Sequence, residues 1–586
     1  MSLLQHLNPQ QREAVTASEG PVLVLSGPGS GKTRVLTRRV AWLVREAKVA
    51  PWRIMAVTFT NKAAREMRER LEGLLGTQEA HRLTLGTFHA TCARILRQEG
   101  EVIGIPRDYV IFDADDQRTL VRRLLKELNL DDDRFTPAAI HGAISRAKND
   151  LIPPQDYRPG TYVGEIARRV YGPYQEWLRA NGGLDFDDLL METARLFREV
   201  PEVTKRYQER YRHILVDEFQ DTNLSQYVLL RQLSARHRNL FAVADEDQSI
   251  YRWRGADYRN ISRLEADHPD LATYLLEQNY RSTQTILDVA QAIIRRNPNR
   301  TEKRLFTDRG MGPKVVVHEG YDQDEEARYV VNTISQLTMT EDIEPGDCAV
   351  MYRTNAQSRS LEEAFLRAGL PYRLVGATRF YSRREIEDIL AYLRLIQNPN
   401  DAISLRRIIG VPPRGIGGKT VAALDAGARA EDVPIWDVIE AVAAGDGERF
   451  GLRTRAQRAV SAFHELVSGW IADQDQMTVL DLVDRVVQET GYEAYIKDGT
   501  EEGEERWENV LELRSVAADY ADLRLADFLV DVALVSDVDD LVEEVNAPTL
   551  LTLHSAKGLE FRVVFITGLE EGLLPHSRSF DDVEAM

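Results

Sequence analysis

Ser26-Gly27-Pro28-Gly29-Ser30-Gly31-Lys32-Thr33 stands between an apolar run, Pro21–Leu25, and a helical pattern, Arg34–Arg45. No other stretch constrains the fold as strongly. Glycines let successive backbone N–H groups close around an anion, and a helix opening there adds its partial positive charge. A lysine at the helix start reaches the outer phosphates of a nucleotide, and the hydroxyl beside it suits Mg²⁺. The pattern predicts a phosphate-binding strand–loop–helix, with Lys32 on the β/γ-phosphates and Thr33 on the ion. The first position of the generic pattern holds Ser26 in place of glycine.

The flanking sequence keeps the same rhythm. Arg53–Phe59, His213–Val216 and Leu240–Ala244 read as further buried strands, with a helix over Asn61–Leu75. Strands alternating with helices predict a doubly wound parallel sheet, which binds ligands beyond the carboxyl ends of its strands. Asp217 and Glu218 follow the HILV strand. There an acidic residue can bind Mg²⁺, and its neighbour can polarise an attacking water.

From about Asp108 to Gly183 the chain is helical, polar and broken by Pro153-Pro154 and Gly182-Gly183, as an insertion between strands would be. A second α/β rhythm is expected at Lys314–His318, Cys348–Tyr352 and Tyr372–Val375. It returns at Thr549–Leu553 and Val563–Thr567, after a strand-free helical stretch from about Gly376 to Glu544.

The net charge of −19 argues against a uniformly basic DNA binder. The charge is uneven, however: residues 501–544 hold 15 acidic against 3 basic, and residues 34–70 hold 10 basic against 3 acidic. A local basic surface for nucleic acid therefore survives. Cys92 and Cys348 are the 2 cysteines, too few for a disulfide framework or a cysteine-only zinc site. No apolar run spans a bilayer and the N-terminus lacks a signal-peptide pattern. The expectation is a cytoplasmic enzyme with no membrane partner. Tyr251-Arg252-Trp253-Arg254 sets aromatics beside guanidiniums, a pairing that stacks bases and neutralises phosphates.

Several long blocks occur in order along nearly the whole chain: LNPQQREAV (7–15), VTFTNKAAREM (57–67), TLGTFHA (84–90), LDFDDLL (184–190), DEFQDTN (217–223) and ADEDQSIYRWRGAD (244–257). QNYRS (278–282), YRTNAQSR (352–359), VGATRFYSRREIEDIL (375–390) and TLHSAKGLEF (552–561) follow. Together they resemble the UvrD/PcrA/Rep group of superfamily one DNA helicases. The resemblance implies an α/β fold of two RecA-like P-loop motor lobes with parallel sheets, each carrying a mainly helical insertion. The implied boundaries are 1–107, 108–183 and 184–275 for the first lobe, its insertion and its second part. The second lobe then takes 276–376, its insertion 377–545, and its closing part 546–586.

By the same likeness ATP and Mg²⁺ are the cofactors, held by Gln11, Gly27, Gly29, Ser30, Gly31, Lys32, Thr33, Arg34, Tyr280 and Glu560, with Thr33 and Asp217 on the metal. Gln11 would read the adenine edge, Tyr280 stack on the adenine, and Gln248 sense the γ-phosphate. Glu218 would activate water, and Arg281 would be an arginine finger presented by the second lobe. Single-stranded DNA would meet Phe59, Asn61, His89, Phe186, Tyr251, Trp253, Arg254, Arg353, Asn355 and His554. Gly415 and Gly417 would meet duplex ahead of a single/double-strand junction, and repair proteins are candidate partners.

Such proteins end in a motif like Y-V-x-x-T-R-A, whose arginine also reaches the γ-phosphate. The 586 residues stop without it. The expectation is a trimmed chain, in which a 3′→5′ translocase and helicase competes with a second reading, an ATP-gated DNA-binding or protein-displacing factor with impaired turnover.

Overall fold

The computed structural model describes the chain except residues 1–2, 108, 113, 131–134, 251–254, 298–299, 376–379, 519, 521–523, 527, 530–531, 533–545 and 576–586. The chain forms two compact units, Met1–Val316 and Val317–Met586.

The first unit is built on a six-stranded parallel sheet. Its strands are β1 (Val22–Ser26), β2 (Ile54–Thr58) and β3 (Thr84–Thr87), then β6 (His213–Val216), β7 (Leu240–Ala244) and β8 (Ala272–Leu276). Between β3 and β6 in sequence, β4 (Val110–Phe112) pairs with β5 (Gly183–Asp185) in a separate small sheet. The large sheet runs β3-β2-β6-β7-β1-β8. β1, β2, β6 and β7 are buried at every residue. Helices cover both faces, so these strands read as continuous apolar runs with no alternation.

Loops leaving the carboxyl ends pass directly into capped helices. Thr60 Oγ1 accepts from Ala63 N at the head of helix Asn61–Leu75, and Thr87 Oγ1 accepts from Ala90 N at the head of Phe88–Glu99. Asn223 and Gln226 form a capping box on Leu224–Ser234, and Asp185 and Asp188 form another on Phe186–Glu199. Caps of this kind contribute about 1 kcal/mol each and fix where a helix starts. They therefore fix which residues face the sheet's carboxyl edge.

Between β4 and β5 run helices Ala114–Glu127, Pro137–Asn149 and Tyr162–Ala180, which enclose an apolar core of their own. The β4–β5 pair closes its two ends.

In the second unit a four-stranded parallel sheet runs in the order β10-β11-β9-β12. Its strands are β9 (Cys348–Tyr352), β10 (Arg373–Val375), β11 (Thr549–Thr552) and β12 (Val563–Ile566). Eight α-helices lie between β10 and β11 among the described residues, and most share one large apolar core.

Lys314–His318 is not a strand, contrary to expectation. It carries no regular structure, and Val315, Val316 and Val317 are exposed. Three consecutive valines supply strand propensity but no neighbour, and a strand exists only as one side of a hydrogen-bonded ladder. Conversely, the short runs Thr84–Thr87 and Ala272–Leu276 escape a reading by apolar pattern, yet each lies at an edge of the large sheet with a parallel partner.

His213 opens β6 and is buried. Burial, with Arg39, His237 and Arg212 nearby, pushes its imidazole down from 6.5 to about 4. The unfolded chain therefore takes up this proton first. The stability held by the neutral ring is complete above pH 6.5 and is lost as pH falls toward 4, by at most about 3 kcal/mol. Between pH 7 and pH 4.5 the urea midpoint should fall less in His213→Gln than in the unaltered protein.

Candidate nucleotide site and strand path

The glycine loop leaves β1 at its carboxyl end and turns into helix Lys32–Arg45. Gly29 and Gly31 have φ of 64° and 84°, which a side chain would strain. At Gly29 a Cβ would also lie 2.7 Å from the Cβ of Arg281 and 2.8 Å from Asn279 Nδ2. The loop is thus held open by glycine and packed on one side by the segment after β8.

Lys32 Nζ lies 3.3 Å from Glu218 Oε2, 3.4 Å from Gln248 Oε1 and 3.7 Å from Asp245 Oδ2. Burial works to lower its pKa, but Glu218, Asp245 and Asp217 outweigh burial and hold the ammonium above its ordinary value. Thr33 Oγ1 donates to Asp217 Oδ2 at 3.3 Å. Burial, then the charge of Glu218, pushes Asp217 up to about 6 against the pull of Lys32. Glu218 has left-handed backbone, φ 51° and ψ 43°. For a residue with a Cβ this costs about 1 kcal/mol or more, and such strain gathers where a side chain must be aimed.

Further polar residues, several of them outside the expected site, meet this pair. Gln220 is fully buried; its Nε2 donates to Glu218 Oε2 at 2.6 Å and its Oε1 accepts from Asp245 N at 2.9 Å. Gln248 Nε2 donates to Asp245 Oδ2 at 2.7 Å. Lys303, buried, lies 3.4 Å from Asp245 Oδ1 and 3.3 Å from Asp247 Oδ2, while Arg300 makes a two-pronged pair with Asp247. Asn279 Nδ2 donates to Pro28 O at 2.6 Å, and its Oδ1 accepts from Arg281 N and Ser282 N. Gln220, Asp245 and Asn279 stand inside quoted motifs; Lys303 had no signal beyond a basic run.

Gln11 is fully buried. Its Oε1 accepts from Asn8 N, and its Nε2 donates to Ser30 O at 2.8 Å. A carboxamide has two hydrogens and two lone-pair sites, so half its capacity remains for a base edge. Tyr280 donates its N–H to Gly29 O, and the residue is 40% exposed. Arg281 lies in the same compact unit as the glycine loop, whereas the resemblance has it presented by a second lobe.

On the same carboxyl edge, Phe186 is 49% exposed and meets His89 edge-on at 6.2 Å. Burial holds the His89 imidazole below its ordinary pKa, so the ring is neutral at pH 7. Phe59 is half-buried and packs edge-on against Phe88, itself a core residue. Tyr251, Trp253 and Arg254 lie outside the described residues, as does the side chain of Asn61.

In the second unit Arg353 Nη1 lies 3.1 Å from His554 Nδ1, and the side-chain oxygen of Asn355 is buried without a partner among the described residues. Gly415 has φ 82°, and Gly417 caps helix Gly418–Glu431 with no side-chain acceptor. Glu560 is exposed.

Residues 7–269 match the UvrD/REP helicase N-terminal domain, and residues 274–585 match the UvrD-like helicase C-terminal domain. The chain belongs to the UvrD-like helicase family. It is 45% identical over 590 residues to the ATP-dependent DNA helicase PcrA of Bacillus subtilis, covering 98% of this chain and 79% of that protein. Against the ATP-dependent DNA helicase PcrA of Staphylococcus aureus the identity is 44% over 587 residues, covering 99% of this chain and 79% of the relative.

Asn279→Ala should remove the clamp on Pro28 O and the backbone of Arg281 together. The expected outcome is a fall in kcat/KM for ATP of at least about 10-fold, read from steady-state hydrolysis, since three hydrogen bonds are lost and each contributes roughly 0.5–1.5 kcal/mol.

Proposed function

We propose that this chain is an ATP-driven DNA helicase that moves 3′→5′ on single-stranded DNA and works at single/double-strand junctions, in repair or replication, in the cytoplasm. One observation carries the reading: a largely buried lysine at a glycine-loop helix start, within hydrogen-bond range of both a carboxylate and a carboxamide at neighbouring strand ends. No helix among the described residues is long and apolar enough to cross a membrane.

Lys32, now satisfied by Glu218 and Asp245, exchanges those carboxylates for the phosphates of ATP. Glu218, released from the ammonium but still held by Gln220, orients and deprotonates the attacking water. Gln248 accepts from Lys32 through Oε1 and donates to Asp245 through Nε2, so the same exchange unties its carbonyl and lets the side chain turn its NH₂ from Asp245 to the γ-phosphate. Thr33 and Asp217 offer a hydroxyl and a carboxylate, the hard oxygen donors that suit Mg²⁺, which when bound neutralises phosphate charge. Tyr280 and Gln11 take the adenine by stacking and by edge contact, and Arg281 supplies positive charge as the bond breaks.

Phe59, His89 and Phe186 stack bases, each contact contributing roughly 1–3 kcal/mol with little sequence preference. Tyr251, Trp253, Arg254 and Asn61 belong to the same strand path in this reading. In the second unit Arg353, Asn355 and His554 are further contacts to DNA in this reading, and Gly415 and Gly417 contacts to duplex.

The test is ATP hydrolysis with and without single-stranded DNA, against Lys32→Ala. Strong DNA stimulation is expected, with turnover lowered by about 100-fold or more in the variant. Unwinding that survives Lys32→Ala would overturn the motor assignment.

A further inference from the structure

Helix Pro137–Asn149 of the first unit's insertion ends on two polar residues that both reach the start of helix Phe186–Glu199. Lys148, fully buried, donates to Asp185 Oδ2 at 2.6 Å and to Asp188 Oδ1 at 2.8 Å. Those two aspartates also cap that helix, and Tyr174 and Gln175 hold them from the neighbouring helix. The backbone on either side of Phe186 is thereby fixed to the insertion.

Asn149 makes the other connection. Its Nδ2 donates to Asp187 Oδ1 at 3.0 Å and to Ser145 O at 2.9 Å. Its Oδ1 accepts from Asn223 Nδ2 at 2.5 Å. Asn223 ends the loop that begins with Asp217 and Glu218, and it caps helix Leu224–Ser234 through its own Oδ1. The polarity of this relay is forced. A carboxylate only accepts, so Asn149 turns its NH₂ to Asp187; Asn223 Oδ1 is taken by Gln226 N, so Asn223 turns its NH₂ to Asn149. Only a residue that donates on one side and accepts on the other fits at 149.

The relay joins the residue after Phe186, a proposed base contact, to the end of the loop carrying Glu218, the proposed water-activating group. We infer that Asn149 is a positioning residue that couples DNA occupancy at Phe186 to the hydrolytic loop, through Asn223–Asn149–Asp187. This rests on the helicase reading of both sites. A base stacking on Phe186 bears on the start of its helix. Asp187 passes that displacement to Asn149, and Asn149 to the capping residue of the Glu218 loop. Coupling of this kind is a measurable interaction between named groups.

The experiment compares steady-state ATP hydrolysis without DNA and at saturating single-stranded DNA, together with DNA affinity, for three variants. Asn149→Asp sets two carboxylates against each other. Asn149→Ala removes both bonds of the relay, and the bond to Ser145 O, without adding charge. The double variant N149D/D187N restores the relay bonds with one polarity reversed, since the carboxamide then stands at position 187 and donates to the carboxylate at position 149. That carboxylate still accepts from Asn223. The expected result for both single variants is a DNA-free rate and a DNA affinity within about 2-fold of the unaltered protein. Their DNA-stimulated rate falls about 5- to 50-fold, and the double variant recovers most of that loss.

Full DNA stimulation in Asn149→Ala overturns the inference. So does a DNA-free rate that falls as far as the stimulated one, which would mark a merely structural tie. A double variant as impaired as Asn149→Asp also overturns it. If the unaltered protein shows no DNA stimulation, the helicase reading itself fails, an outcome distinct from the others.

Discussion

The first unit is organised around one largely buried ammonium. Lys32 sits at the head of a helix, where the helix dipole already repels a cation, and its side chain is only 11% exposed. Such a group is tolerated only if paired, because an isolated buried charge costs several kcal/mol. Glu218 and Asp245 supply the pairing, and Asp245 is in turn paired with buried Lys303. The result is an alternating chain of charges, Lys303, Asp245, Lys32 and Glu218, laid across the carboxyl ends of three strands. A polyanion reaching Lys32 competes with carboxylates, and whatever it displaces must find new partners. Any anion that takes Lys32 therefore changes the partners of Glu218 and Gln248 at once.

A second organising feature lies in the caps. Asn8 with Gln11, Asp185 with Asp188, and Asn223 with Gln226 each close a capping box, and each box contains or adjoins a residue with a proposed chemical role. A cap determines the residue at which a loop becomes a helix. Where the loop carries Glu218 or the helix opens on Phe186, that choice also aims the functional side chain. Stability and local aim are thus written in the same hydrogen bonds, and the relay through Asn149 runs from one such cap, Asn223, to Asp187, which lies between the two residues of another.

Much of this was legible in the chain. The glycine loop, the Asp217-Glu218 pair and most sheet strands follow from apolar runs and turn residues, because parallel strands buried on both faces leave an unmistakable signal. Thr84–Thr87 and Ala272–Leu276 were not legible, being short edge strands that gain their structure from a neighbour. Lys314–His318 failed in the opposite sense, an apolar run with no neighbouring strand. Gln220, Asn279 and Lys303 were hidden for a different reason. Each is an ordinary polar residue whose meaning depends on which buried atom lies within hydrogen-bond reach.

The sequence by itself determined the family, the phosphate loop and the two-part α/β plan, since these rest on local patterns that no packing arrangement reverses. Only the tertiary structure decided the left-handed turn of Glu218, the pairing of Lys32 with Asp245, and the meeting of Asn149, Asp187 and Asn223. Asn149 is 38 residues from Asp187 and 74 from Asn223. Contacts over such separations are made by the sheet order and by the docking of the insertion. Hydrogen-bond geometry, which falls away within a fraction of an ångström, is set only when those elements have packed.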